Sequence, residues 1–207
     1  MLKLENISKK FKNNLVLNNI NYNFTEGKIY LIKGRNGAGK TVLLKIMCNL
    51  TYPNHGTVEY VIDNNNYCQP DYGIIIESPI FWKDKTGYDT LCFLASIRNK
   101  IGKEEINTVL KLVGLEKVKD TTIKKYSLGM RQRLAIAQAI MEDPAILLFD
   151  EPTNSLDDEG IEMFKKVILE EKRKGKIIII VSHIIEELSG ICDTKLILKN
   201  GELIEEC

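Results

Sequence analysis

The stretch Gly34-Arg35-Asn36-Gly37-Ala38-Gly39-Lys40-Thr41 constrains this 207-residue chain more tightly than any other. It fits the pattern G-x-x-x-x-G-K-[ST] without a substitution. The apolar run Ile29-Tyr30-Leu31-Ile32 precedes it and reads as a strand buried on both faces. Behind it, Val42, Leu43, Ile46 and Met47 fall at spacings of three and four, the period of an amphipathic helix. Glycines let the backbone turn so that successive N–H groups face an anion where a side chain would clash. The helix beginning near Gly39 adds the positive end of its dipole. In such a loop Lys40 can reach the β- and γ-phosphates of a bound nucleotide, and the Thr41 hydroxyl can ligate Mg²⁺.

Strands and helices alternate along the remaining sequence. Leu2 and Leu4 alternate with polar residues, as do Tyr22 and Phe24 before a Glu26-Gly27 turn. Residues 74–76, 146–149 and 177–181 are further buried-strand candidates, and 88–98, 103–113 and 128–141 carry apolar residues at helical spacing. The pattern predicts an α/β protein with a mostly parallel core, folded as a single domain over 1–207. Its helical middle, about 80–142, reads as an arm inserted into that core. The Asn pairs near residues 13 and 18 read as turns at strand ends, Asn64-Asn65-Asn66 as a loop tip, and Pro53-Asn54-His55-Gly56 as a turn. His55 receives no role.

Composition narrows the classes of partner. Twenty-nine Lys and Arg against 28 Asp and Glu leave a formal charge of +1, which argues against a broadly basic nucleic-acid surface. The longest aliphatic run, Ile177 to Val181, falls far short of the roughly 20 apolar residues of a membrane-spanning helix. Charges within the first five residues argue against a secretory signal. Five cysteines (48, 68, 92, 192 and 207), with no Cys-x-x-Cys pair, disfavour a disulfide framework and a zinc site. A cytoplasmic protein is expected.

A second set of residues completes the chemistry. Ile146-Leu147-Leu148-Phe149 ends in Asp150-Glu151. A carboxylate ending a strand parallel to the one before Gly34 would sit near Mg²⁺, and Glu151 beside it could orient and deprotonate an attacking water. Tyr126-Ser127-Leu128-Gly129-Met130-Arg131-Gln132-Arg133 precedes a helix. Farther along come Glu151-Pro152-Thr153-Asn154-Ser155-Leu156-Asp157 and Val181-Ser182-His183. Together these resemble the signature motif, Walker B exit, D-loop and switch histidine of the ATP-binding-cassette (ABC) ATPases. The motifs run in that family's order from residue 34 to 183, so the resemblance covers essentially the whole chain.

The resemblance implies a P-loop NTPase fold of ABC type, with a small antiparallel β subdomain and an inserted α-helical subdomain. ATP and Mg²⁺ would be the cofactors. Phe11 would stack on adenine, Gly34 to Val42 would hold the phosphates, and Thr41, Asp150 and Glu77 would surround the metal. Lys40, Glu151 and His183 would act in hydrolysis, His183 through the γ-phosphate. Ser127 and Gly129 open a helix with an anion-binding start and a good N-cap. The family docks this helix in trans, so that two cassettes, identical or different, sandwich two ATP molecules, with Asp157 in the D-loop between them. Separately encoded transmembrane permease subunits would hold the chain on the cytoplasmic face of the cell membrane.

Two positions depart from the family pattern. Val42 stands where a second hydroxyl often touches the α-phosphate, a loss of about 1 kcal/mol. In Gly73-Ile74-Ile75-Ile76-Glu77-Ser78-Pro79, Glu77 occupies the place of the usual Gln. Glu keeps an oxygen for the metal, loses the amide donor and adds a charge. With the Ser-Leu-Gly-Met form of the signature, it resembles the ATPases of bacitracin- and lantibiotic-type peptide exporters and immunity pumps. Glu77 would then couple nucleotide state to the membrane partner, leaving Glu151 as the base. Trp82, within Ile80-Phe81-Trp82-Lys83-Asp84, faces either the core or that partner. The competing reading is a non-transport ABC ATPase acting on ribosomes or DNA; such proteins usually carry tandem cassettes, a coiled-coil insert or zinc cysteines.

Overall fold

Strands of two kinds organise the chain: long, half-exposed ones near its start and shorter ones with apolar centres after them. The computed structural model describes residues 1–12, 14–61, 70–183, 188 and 190–206. Asn13 and the expected loop tip Asn64-Asn65-Asn66 lie outside the described residues. In chain order the elements are β1 (Leu2–Phe11), β2 (Asn14–Phe24), β3 (Lys28–Lys33), α1 (Lys40–Met47), β4 (His55–Tyr60) and β5 (Tyr72–Ile75). The helices α2 (Gly87–Arg98), α3 (Lys103–Leu112) and α4 (Leu128–Ile140) follow. Then come β6 (Ile146–Asp150), α5 (Asp158–Arg173), β7 (Ile177–Val181), β8 (Thr194–Lys199) and β9 (Glu202–Glu205).

The short apolar strands form a six-stranded sheet in the order β5-β6-β7-β3-β8-β9, parallel except for β9. Every residue of β7 is buried, because it lies between β6 and β3 with both faces covered. A run of β-branched residues suits that position. Side chains alternate across the sheet. Ile29 and Leu31 point into a core shared with α4, α5 and the helical arm, where Phe149 meets Phe164 edge-on at 5.5 Å. Tyr30 and Ile32 point to the opposite core, with α1 and the second sheet. That second sheet is antiparallel, in the order β2-β1-β4.

The helices α2, α3 and α4 intervene between β5 and β6, and each is closed at its start. Thr86 Oγ1 accepts from the Asp89 amide at 2.9 Å, Glu105 reaches back to the Gly102 amide at 2.9 Å, and Ser127 Oγ accepts from the Met130 amide at 3.1 Å. Arm and sheet meet most closely at Gly73. A β-carbon there would lie 1.9 Å from the Ala139 carbonyl oxygen and 2.6 Å from the Leu147 side chain. The glycine is therefore what lets α4 lie against the edge strand β5.

Two expected turns are strand instead. Asn18 and Asn19 lie inside β2. Asn19 takes a left-handed φ of 47° where the pairing with β1 changes register, and its amide donates to Ser8 Oγ at 2.9 Å. The Asn18 amide donates to the Gly201 carbonyl at 2.8 Å, tying the two sheets together. Asparagine tolerates the left-handed region, so it serves a bulge as readily as a turn. His55 and Gly56 likewise begin β4 rather than closing a turn.

Gly73→Ala should destabilise the protein by about 3 kcal/mol, since backbone rather than a mobile side chain blocks the new methyl. Urea unfolding with an unchanged slope and a lower midpoint would check it.

Candidate functional site

Parallel pairing puts the carboxyl ends of four strands on one edge. Ile32 pairs with Val181 and Val181 with Asp150, while one row back Leu31, Ile180, Phe149 and Ile75 align. The segments leaving this row carry Gly34 after β3, Glu151 after β6, His183 after β7 and Glu77 after β5.

The loop from β3 to α1 needs glycine for specific reasons. Gly37 and Gly39 have φ of 80° and 102°. A β-carbon on Gly39 would meet Val16 at 2.7 Å, and one on Gly34 would meet the Leu198 carbonyl at 2.6 Å. Gly39 caps α1 with no side-chain acceptor, so the helix start is left to whatever binds there. Lys40 is 7% exposed and folds over the loop, with Nζ donating to the Gly34 carbonyl at 2.7 Å and the Arg35 carbonyl at 3.2 Å.

Thr41 Oγ1 donates to Asp150 Oδ2 at 2.5 Å, joining residues 109 positions apart. Burial pushes the Asp150 carboxyl upward, the Thr41 hydroxyl opposes that, and the Glu151 charge reinforces it. A divalent cation would relieve both the burial and the repulsion. Hydroxyl and carboxylate oxygens suit Mg²⁺, which takes few protein ligands and completes its shell with water and phosphate. No group of three or more His, Cys, Asp or Glu placed to hold a metal occurs among the described residues.

Glu151 has a left-handed φ of 49° and its amide donates to the Val181 carbonyl at 2.8 Å. This kink turns its side chain toward β7, where Oε2 lies 2.8 Å from His183 Nδ1 and accepts from the His183 amide at 3.3 Å. Glutamate and histidine thus form one unit beside the loop.

A cleft of about 500 Å³ collects Phe11, Asn36, Gly37, Gly39, Lys40, Thr41, Val42, Glu77, Asp150 and Glu151. Phe11, at the end of β1, lines this cleft and is 49% exposed, with Lys9 Nζ 5.1 Å from the ring centre, so the ring is not part of the core. Gly34, Arg35, Ala38 and His183 instead line a second cleft of about 900 Å³ on the other side of the loop. Val16, Ser78, Gln132, Asn154 and Ser155 also line the first cleft, and sequence reasoning does not single them out. For Ser155 the available signal is its place within the D-loop; Val16 offers none beyond its strand.

Ser127, Gly129 and Asp157 stand apart from both clefts. The start of α4 adjoins the segment after β6: a β-carbon on Gly129 would lie 3.0 Å from the Ser155 carbonyl, and Asp157, which caps α5, accepts from Arg133 Nη2 at 3.1 Å. Buried Gln132 Nε2 donates to the Pro152 carbonyl at 2.9 Å. Trp82 is 51% exposed and packs edge-on against Phe93, itself 55% exposed, at 5.1 Å, beside Ile80 at 95%. Of its two readings, the outward one holds.

Comparison with known proteins agrees with this geometry. The ABC transporter family model matches residues 17–154. The chain is 39% identical to a bacitracin transport ATP-binding protein of Enterococcus faecalis, covering all of this chain and 68% of that one. It is 34% identical to a lantibiotic transport ATP-binding protein of Streptococcus pyogenes, covering all of this chain and 90% of that one. Among solved structures it resembles a dimeric ATP-binding cassette in a post-hydrolysis state with ADP and Pi. There the TM-score is 0.85 at 25% identity, over 100% of this chain and 98% of that one.

Lys40→Ala should cost about 2 kcal/mol of nucleoside triphosphate binding, roughly thirtyfold in Kd, the worth of a charge-assisted contact. Titration calorimetry, with circular dichroism as the folding control, measures it.

Proposed function

The chain belongs to the ABC transporter family as an ATP-binding, ATP-hydrolysing subunit, and from that premise we propose how its residues divide the work. One observation carries the reading: the Thr41–Asp150 contact and the Glu151–His183 pair converge beside a single phosphate-binding loop.

ATP lies with its base on Phe11 and its phosphates along Gly34 to Val42. Lys40 exchanges its loop carbonyls for phosphate oxygens, and the open start of α1 faces the same charge. Thr41 and Asp150 hold Mg²⁺, with Glu77 at the rim of the same cleft. Held there, Mg²⁺ would supply positive charge against the charge that builds up during transfer. Glu151 takes a proton from the attacking water. His183 holds the Glu151 carboxylate in place and contacts the γ-phosphate from the opposite side of the loop.

Ser127, Gly129 and Asp157 complete a site only across a dimer. Within one chain they line neither cleft, so we assign their ligand to a second cassette, arranged head to tail. A dimeric relative of the same fold supports this arrangement. The 80–142 arm acts within one cassette and presents Ile80, Trp82 and Phe93 to a permease subunit. No helix among the described residues is long and apolar enough to cross a membrane. The relatives' names, for bacitracin and lantibiotic transport, support movement of a peptide antibiotic as the work done; we read its direction as export, powered from the cytoplasmic face of the cell membrane.

Glu151→Gln should lower steady-state ATP hydrolysis at least about a hundredfold and trap an ATP-bound dimer on size-exclusion chromatography. Glu77→Gln should retain measurable hydrolysis. Equal loss in both variants would refute the division between base and coupling residue.

A further inference from the structure

Residue 77 is a carboxylate at the mouth of a cleft that already holds two others, Asp150 and Glu151. Its charge contributes to the raised pKa of Asp150. A triphosphate entering this cleft is itself strongly negative, so a third unpaired carboxylate would oppose its binding. Glu77 is not unpaired. Its Oε1 lies 2.5 Å from Nζ of Lys45, a residue 32 positions earlier in the last turn of α1.

Lys45 is suited to this contact by its place in the helix. It follows Thr41 by four positions, so the two side chains share one helix face. Thr41 reaches Asp150, and one turn on Lys45 reaches the loop after β5. Glu77 has a left-handed φ of 67°, a conformation that a non-glycine residue adopts only when its surroundings hold it. The ion pair is such a hold.

Resting on the nucleotide-site reading above, we propose that Lys45 is a positioning residue paired to Glu77: it keeps the third carboxylate off the phosphate path. The requirement for Lys45 then exists only because residue 77 is Glu. A lysine kept for helix stability would matter equally in a Glu77→Gln chain. A lysine acting merely as a distant positive charge would also matter equally in both backgrounds.

The test measures Kd for ATP in EDTA by titration calorimetry, with Lys45→Gln placed in the wild-type and in the Glu77→Gln chain. Mg²⁺ is left out so that it cannot draw the freed carboxylate inward. In the wild-type background Lys45→Gln should raise Kd about fivefold, the scale of one screened like-charge contact. In the Glu77→Gln background it should change Kd by less than about twofold. Lys45→Arg, which keeps the charge, should stay within about twofold of wild type. A fivefold loss in both backgrounds, or no loss in either, overturns the pairing. Lys45→Met, with the same expected pattern, replaces Lys45→Gln should the latter not fold. Wild-type protein that binds no ATP would instead refute the nucleotide site itself.

Discussion

The parallel register of β3, β7, β6 and β5 is the constraint on which the site depends. Leu31, Ile180, Phe149 and Ile75 lie in one row, so every segment leaving these strands emerges on the same edge. In an antiparallel sheet alternate strands would send their next residues to the opposite edge, and Glu151 could not meet His183. Parallel strands need both faces covered, and two cores supply the cover: α4 and α5 with the arm on one side, α1 with the second sheet on the other. The apolar strands are thus the reason that polar residues from positions 34, 77, 151 and 183 are neighbours.

Those polar residues are already paired with one another. Lys40 lies on loop carbonyls, Thr41 on Asp150, Glu151 on His183 and Glu77 on Lys45. Each pair satisfies a group that would be costly to leave alone in a partly buried setting. The Lys40 and Thr41 contacts are also geometries held ready, since a bound nucleotide or cation would need only to replace one partner in them. Catalytic positioning of this kind avoids reorganising the protein when charge develops.

Much of this is legible in the sequence because phosphate chemistry restricts residue types. Only glycine fits the loop at Gly39, where φ is 102° and Val16 is close, and only a carboxylate at the end of β6 can serve Thr41 and a cation together. The short apolar strands are legible for a similar reason, burial on both faces. Asn18 and Asn19 mislead because asparagine's tolerance of left-handed backbone suits turn and bulge alike; the deciding contacts, to Ser8 and Gly201, are remote in sequence. The Lys45–Glu77 pair is illegible on the same ground. Nothing in either residue's neighbourhood announces the other, since the contact exists only once β5 lies beyond β6 in the sheet. The sequence leaves Trp82 with two orientations, and its edge-on packing against half-exposed Phe93 decides between them.

The signature helix raises a different point, about how two distant faces of one cassette are joined. Ser127 and Gly129 lie outside the cleft, yet α4 touches the segment leaving Glu151 at three places. Gln132 donates to the Pro152 carbonyl, Gly129 lies against the Ser155 carbonyl, and Arg133 pairs with Asp157. Two of these contacts use backbone carbonyls within four residues of Glu151. Any shift of Glu151 that moved this segment could not leave α4 unmoved unless the Gln132 and Arg133 bonds broke. Gln132 is buried, so breaking its bond would leave a polar group unpaired at a cost. The less costly response is for the helix to follow, taking with it the Ser127-capped start that we propose a second cassette reads.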